Sequence, residues 1–194
     1  MSTTYRSVEV TEPSGAITLT NRPMPEPGDG EVLVRVEACG VCHSDSQIAA
    51  GHLPGTVFPV TPGHEVAGRI EALGSGVLDW QVGDRVAVGW FGGHCSHCIP
   101  CRKGDFIHCV NASVPSWHYP GGYAESVTVP ANALARIPDE LSFAEAAPMG
   151  CAGVTTYNAL RHTRALPGDL VAVLGVGGLG HLGLQFARAI GFET

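Results

Sequence analysis

The chain has 194 residues, 44% of them hydrophobic and only 15% charged, against about 25% charged in an ordinary soluble domain. That balance excludes a disordered chain, and a net charge of −7 argues against a nucleic-acid partner, which wants a basic face. The 26 glycines and 14 prolines point to many strand-to-strand turns rather than a helical bundle.

Met1 to Thr20 holds neither a basic n-region nor a continuous apolar stretch, so no secretory signal is expected. No charge-free apolar run of about 18 residues occurs, and no membrane span is expected either. Seven cysteines are an odd count, and nothing marks the chain as secreted. In a reducing cytoplasm, the expected location, such cysteines serve as metal ligands or catalytic groups more often than as disulfides.

Val32, Val34 and Val36 alternate with Leu33, Arg35 and Glu37, the period of a strand. Glu65 to Leu73, Arg85 to Val88 and Tyr123 to Val129 are further short strands, separated by turns such as Gly83-Asp84 and Pro120-Gly121-Gly122. Regular short strands predict a closed or barrel-like β domain. The character changes after Pro138. Ser142-Phe143-Ala144-Glu145 is a capping box that predicts a helix start, disturbed at Pro148 and resuming through Val154 to Leu160. Leu170 to Leu174 is an all-apolar run, expected as a strand buried on both faces, and Gly178 to Ile190 has helical spacing. The boundary between a β domain and the start of an α/β domain falls near 140–165. One strand and one helix do not complete a doubly wound sheet, so the chain is expected to be the N-terminal part of a longer protein.

Cys95-x2-Cys98-x2-Cys101-x7-Cys109 places four thiols within 15 residues. Four sulfurs about 2.3 Å from one ion complete a tetrahedral shell and leave no open position, which predicts a structural zinc. An iron–sulfur cluster and disulfides are the alternatives, although the last gap of seven residues departs from the ferredoxin pattern. His94, His97 and His108 beside them are expected to be solvated loop histidines. Cys42, His64 and Cys151 are candidate ligands of a second, open site, because three protein ligands leave a fourth position for water or substrate. Read singly, Cys42 and Cys151 fit better as buried free cysteines and His64 could be a satisfied core histidine, and Cys39 is expected in the core. Gly175-Val176-Gly177-Gly178-Leu179-Gly180 lies between the apolar run and the helix, the setting that a dinucleotide fingerprint requires. The acidic residue that reads the ribose should fall beyond Thr194, since Glu193 precedes the next strand.

In G-V-C-H-S-D, P-G-H-E, the four-cysteine lobe and the glycine turn, the chain resembles the zinc-dependent alcohol dehydrogenases of the medium-chain dehydrogenase/reductase superfamily. The resemblance implies a mainly β GroES-like catalytic domain over 1–145, with a zinc lobe at about 91–112. It further implies a linking helix and the first β-α unit of an incomplete Rossmann domain over 146–194. Two zinc ions and NAD or NADP are implied: Cys42, His64 and Cys151 for the catalytic zinc, and Cys95, Cys98, Cys101 and Cys109 for the structural one. Ser44 would take the alcohol proton, Asp45 would orient the histidine ligand, and Glu65 would be the near-zinc acid that ligates transiently. His43 would lie near the cofactor phosphates, Thr155 near the nicotinamide, and Gly175, Gly177, Gly178, Leu179 and Gly180 against the pyrophosphate. Trp90 would line the substrate pocket. Taken without the resemblance, Ser44 reads as a helix cap, Asp45 as a capping residue and Glu65 as a surface acid.

The implied function is hydride transfer between an alcohol or aldehyde and NAD(P) through a zinc-bound alkoxide. The full-length form is expected to be a homo-oligomer, with no nucleic acid or membrane partner. The rival expectation is a non-catalytic zinc-binding fragment that does not hold the dinucleotide. One departure stands out: Gln47 occupies the position, five residues after the first ligand, where many family members have a proton-relaying histidine.

Overall fold

Alternation of valine with polar residues makes one face of a strand apolar, and that face assembles the β core. A computed structural model describes residues 3–194, so the first two positions of the Met1–Thr20 segment lie outside the described residues. The chain runs through β1 (Thr4–Val10), β2 (Ile17–Pro23), β3 (Glu31–Cys39), helix α1 (His43–Ala49), β4 (Val66–Leu73) and β5 (Arg85–Val88). After one helical turn, α2 (Ile99–Arg102), come β6 (Ser126–Pro130), β7 (Ala135–Arg136), α3 (Phe143–Ala146), α4 (Ala152–Arg161) and α5 (Gly178–Ile190).

Five strands form an antiparallel sheet in the order β6-β3-β4-β5-β7, and β1 and β2 form a separate hairpin. Single bridges, Ser7 to Ala124 and Val10 to Val60, tie the hairpin to the rest, and among the described residues no strand pairing closes the expected barrel. Val32, Val34, Ile70, Val86, Val88, Val127 and Val129 pack together on the inner face. On the outer face the register sets Arg35 opposite Arg69 and Arg69 opposite Arg85. Like charges directly opposite destabilise a sheet. Here the row is offset: Arg35 meets Glu37 at 2.8 Å, while Arg69 and Arg85 lie 5.2 and 4.7 Å over the Phe143 ring. Arg85 also donates to the Pro138 carbonyl at 2.8 Å, which fastens the end of the sheet to the loop that leads into α3.

The strand expected over Tyr123 to Val129 begins only at Ser126, because Tyr123 instead hydrogen-bonds the Pro62 carbonyl through its backbone N–H (2.9 Å). The capping box at Ser142 forms, with Glu145 N–H to Ser142 Oγ at 3.3 Å and Ser142 N–H to Glu145 Oε2 at 3.0 Å. Pro148 turns the following segment into a 3₁₀ turn, Ala147–Gly150. The helix then resumes at Ala152, two residues earlier than expected, because Cys151 serves as its N-cap. A Cβ on Gly150 would lie 2.9 Å from the Gly89 Cα, and that close approach brings Cys151 beside the end of β5.

The expectation for Leu170 to Leu174 fails. Only Leu170 pairs, through a parallel bridge to Glu193, and Leu170 and Leu174 are 77% and 97% exposed. A strand buried on both faces needs neighbours on both sides, and in this chain Glu193 alone pairs with the run. Glu193, expected to precede the next strand, is the partner in that bridge. The helix over Gly178–Ile190 has the expected bounds and packs on α4 through Leu160, Ala187, Phe192 and Phe186. No helix among the described residues is long and apolar enough to cross a membrane.

Candidate functional site

Strand β3 delivers the chain to Cys42, whose extended backbone (φ −116°, ψ 154°) makes it the N-cap of α1. Ser44 therefore sits inside the first turn and is not the cap. Asp45 completes the cap by accepting the Cys42 N–H at 2.9 Å. That does not exhaust Asp45, which is buried and also accepts from His64 Nδ1 at 2.9 Å and from Gly63 N–H at 3.0 Å. Nor is Glu65 a surface acid: it is only 4% exposed.

His64 is fully buried. With Nδ1 held by the Asp45 carboxylate, the neutral imidazole carries its proton on Nδ1, which makes Nε2 the nitrogen that can ligate a metal. That Nε2 is buried and has no hydrogen-bond partner. One donor atom each from Cys42, His64, Glu65 and Cys151 lies within 4.8 Å of all the others. An orphaned imidazole nitrogen beside two thiols and a carboxylate is a donor set suited to zinc. Trp90 stands edge-on to His64, ring centres 5.1 Å apart, and packs on Trp117 at 6.3 Å.

Electrostatics divide the two thiols. Burial opposes ionisation of Cys42, but the Ser44 N–H, the Ser44 hydroxyl and His64 outweigh it and hold the thiol below its ordinary range. Burial, followed by the Cys42 and Glu65 charges, pushes Cys151 well above it. Burial also raises Glu65. For Asp45, burial is outweighed by the His64, Cys42 and Gly63 donors, so the carboxyl lies below its usual range.

The four-cysteine lobe is built locally. Cys98 caps α2, Pro100 stands in its first turn, and Cys101 and Cys109 are buried. All four sulfurs lie within 4.8 Å of one another, with Cys95–Cys109 at 3.6 Å and Cys98–Cys109 at 3.8 Å. Tetrahedral bonds of about 2.3 Å require sulfurs about 3.8 Å apart, so this cradle already has the size zinc needs. Hydrogen bonds from the Asn111 side chain and the His97 backbone push Cys95 down to about 5. His97 and His108 are exposed. His94 is not the solvated loop residue expected. It is half-buried and stacks on Phe106 and Phe91, with ring centres 4.2 and 5.8 Å away. Two aromatic neighbours in the lobe cover the imidazole faces that the sequence left to solvent.

The remaining candidates lie on α1, α4 and the turn into α5. His43 is exposed on α1 and its Nε2 is 3.0 Å from Gln47 Nε2, while Gln47 Oε1 is 2.9 Å from His52 Nδ1. His52, whose reach no sequence interval encodes, is thus joined to His43 through Gln47. Thr155 is exposed one turn into α4, its N–H bonded to the Cys151 carbonyl at 3.0 Å. Gly177 caps α5, and Gly178, Leu179 and Gly180 form its first turn. Gly175 has φ +88°, and a Cβ on Gly180 would lie 1.8 Å from its carbonyl oxygen, so the turn is as tight as two glycines permit. A Cβ on Gly177 or Gly178 would meet nothing within 4 Å, which leaves room for a ligand against the backbone. The turn lines an open cleft of about 590 Å³ together with Thr156, Ala159 and Leu160 of α4. Helix α4 thus links the metal-ligand cluster at its N-terminus to the glycine turn along its side.

Sequence reasoning missed Tyr123, whose hydroxyl donates to Asp45 Oδ2 at 3.0 Å. Its position in a presumed strand gave no signal of this contact.

Comparison with known proteins shows what the whole chain is similar to. The family profile of the alcohol dehydrogenase GroES-like domain matches residues 28–139. Alcohol dehydrogenase patD of Penicillium expansum is 46% identical over 191 residues, covering 98% of this chain and 56% of the relative. Among solved structures, the cobalt- and zinc-bound thermostable alcohol dehydrogenase from Pyrobaculum aerophilum aligns with a TM-score of 0.89 at 32% identity. It covers 98% of this chain and 58% of that one. CAD from Helicobacter pylori, complexed with NADP(H), gives a TM-score of 0.89 at 29% identity, covering 100% and 58%. The chain thus spans somewhat more than half the length of these relatives. On this match the chain belongs to the zinc-type medium-chain alcohol dehydrogenases, in the portion that carries their GroES-like domain.

Proposed function

We propose that this chain supplies the alcohol-binding, zinc-holding part of an oxidoreductase that moves a hydride between an alcohol and NAD(P). In the forward direction an alcohol and NAD(P)⁺ give the aldehyde or ketone, NAD(P)H and one proton. The observation that carries the reading is His64: its Nδ1 is tied to Asp45, and its buried, unpartnered Nε2 shares a cluster with the Cys42 and Cys151 thiols and Glu65.

Cys42, His64 and Cys151 would hold the catalytic zinc, with Glu65 as an alternative oxygen donor. Zinc held there supplies Lewis acidity, lowering the pKa of an alcohol hydroxyl as it does that of water. Ser44, in the first turn of α1 beside Cys42, would take the alcohol proton on its hydroxyl oxygen while passing its own hydroxyl proton on to solvent, the one proton of the overall balance. Trp90 closes one wall with apolar surface and excludes water from the reacting carbon. Cys95, Cys98, Cys101 and Cys109 would hold a second, structural zinc. Gly175, Gly177, Gly178, Leu179 and Gly180 offer backbone N–H groups and the positive end of α5 to the pyrophosphate, His43 offers an imidazole to the phosphates, and Thr155 a hydroxyl near the nicotinamide. Residues 1–145 would form the catalytic domain and 146–194 the linking helix and the opening of the nucleotide-binding domain. Small primary or secondary alcohols and the matching aldehydes are the substrate class, in the cytoplasm.

Titration of the chain with NADH and NADPH, followed by alcohol-dependent reduction of the oxidised cofactor, tests this. Saturable binding with turnover that disappears in Cys42→Ser supports it. Full zinc occupancy without cofactor binding would assign this chain to the alternative, a zinc-binding fragment that does not hold the dinucleotide. Turnover retained in Cys42→Ser would refute the ligand assignment.

A further inference from the structure

We propose that Tyr123 is a positioning residue of the three-ligand cluster: its hydroxyl, acting through Asp45, holds the His64 imidazole in register with Cys42 and Cys151. The proposal rests on reading that cluster as a zinc site.

A carboxylate offers about four acceptor positions on its two oxygens. In Asp45 all four are occupied: Oδ1 takes His64 Nδ1 (2.9 Å) and Gly63 N–H (3.0 Å), and Oδ2 takes Cys42 N–H (2.9 Å) and Tyr123 Oη–H (3.0 Å). Three of these donors belong to the ligands or their immediate neighbours. The fourth comes from a segment 78 positions further along the chain. Without it, Oδ2 keeps the Cys42 N–H alone, and the carboxylate, still tethered at Oδ1 by the Gly63 N–H, can tilt out of its plane. The His64 Nδ1 contact on the opposite oxygen moves with it.

The segment bearing Tyr123 is fixed on both sides. Gly121 N–H bonds the Thr61 carbonyl (2.8 Å), Gly122 N–H the Gly63 carbonyl (2.7 Å), and Tyr123 N–H the Pro62 carbonyl (2.9 Å). On the other edge Val8 N–H bonds the Tyr123 carbonyl (2.8 Å). The residues before His64 are thereby laced to the residues before Tyr123. Gly63, with φ +101°, packs so close that a Cβ there would lie 2.6 Å from Tyr123 Cδ1. Backbone and ring together leave the hydroxyl one place to go. A tyrosine serving only the core would need some partner for its hydroxyl; this one uses the carboxylate that orients a ligand imidazole. Partners of ligating histidines set ring orientation and tautomer, and losing one costs metal affinity about 10–100-fold. Tyr123 stands one contact further out, so about 5–10-fold is expected.

The test uses Co²⁺ as the probe on the full chain, in wild type, Tyr123→Phe, Asp45→Asn and the double variant. Chelator competition and the cobalt absorption bands are read at both clusters, with the four-cysteine lobe as internal reference. Tyr123→Phe should weaken cobalt at the three-ligand cluster about 5–10-fold and shift its bands while leaving the lobe unchanged. In the Asp45→Asn background the same change should add less than about twofold, because the path runs through Asp45. Wild-type affinity in Tyr123→Phe, or an equal loss with and without Asp45, would overturn the proposal. If Tyr123→Phe also lost the lobe's cobalt, 3-fluorotyrosine at position 123 replaces it. That isostere is a stronger O–H donor and should shift the bands the opposite way, and unshifted bands would count against the proposal. A wild-type chain that takes up cobalt only at the lobe would refute the zinc reading itself, and the proposal with it.

Discussion

The lobe sulfurs come from positions 95–109, on a loop with two short helical turns, Ile99–Arg102 and Phe106–His108, and their cradle is complete within a single stretch of chain. The second cluster draws Cys42 from the cap of α1, His64 and Glu65 from the approach to β4, and Cys151 from the cap of α4. Its ligand imidazole is fully buried and oriented by Asp45. The lobe's geometry depends on local turns, whereas the second cluster exists only when the sheet, α1 and α4 are docked together. A closed, local site suits an ion that holds a loop together. A site assembled from distant elements has its donors placed by the fold, and can leave one coordination position for chemistry.

The largest expected effect is the loss of a whole site. Cys101→Ser removes a buried lobe sulfur, and one zinc per chain should be lost with a lowered thermal midpoint, since structural zinc binding contributes directly to folding. Elemental analysis and calorimetry check this; an unchanged midpoint would show that the lobe does not support the fold. Asp45→Asn keeps the shape but weakens the orienting acceptor. The second site should lose about 10–100-fold in zinc affinity with the lobe unaffected. Equal weakening at both sites would mean that Asp45 supports the fold rather than one ligand.

Thiol chemistry sharpens the contrast in the metal-stripped chain. The thiolate is the reacting form, so a group with a depressed pKa is already reactive at neutral pH and a raised one is not. Cys95, held down to about 5, should be alkylated at a rate that levels off above about pH 6. Cys151, pushed up by burial, should still be accelerating above the ordinary thiol range near pH 8.5. Peptide mapping after timed iodoacetamide treatment reads both, and zinc should protect both. Cys151 labelled first would break the contrast.

The smallest effect concerns Gln47, which bridges His43 and His52 at 3.0 and 2.9 Å without titrating itself. Gln47→His should shift the pH profile of alcohol turnover by about one unit or less while leaving zinc content alone. A superimposable profile would mean that proton release takes another route.

What could be read from the sequence follows the same division. Spacing alone marked Cys95, Cys98, Cys101 and Cys109, because a local site writes its geometry into sequence intervals. The capping box at Ser142 and the helix over Gly178–Ile190 were legible for the same reason: their determinants lie within one or two turns. Cys42, His64 and Cys151 were suggested only by short flanking motifs, since no interval encodes a meeting of three elements. Tyr123 carried no signal, because its role depends on the lacing of residues 121–123 to 61–63. The apolar run from Leu170 misled for the opposite reason: its pattern describes a fully flanked strand, and here only Glu193 pairs with it. His94 misled through composition, since loop histidines are usually solvated and this one stacks between two phenylalanines.

Zinc per chain, measured by elemental analysis on purified, unsupplemented protein and on Cys42→Ser, tests most directly whether two differently built metal sites coexist in this molecule. Two zincs are expected in the wild type and one in the variant. One zinc in both, lost on changing Cys95, would contradict the open site and leave the lobe as the sole metal centre.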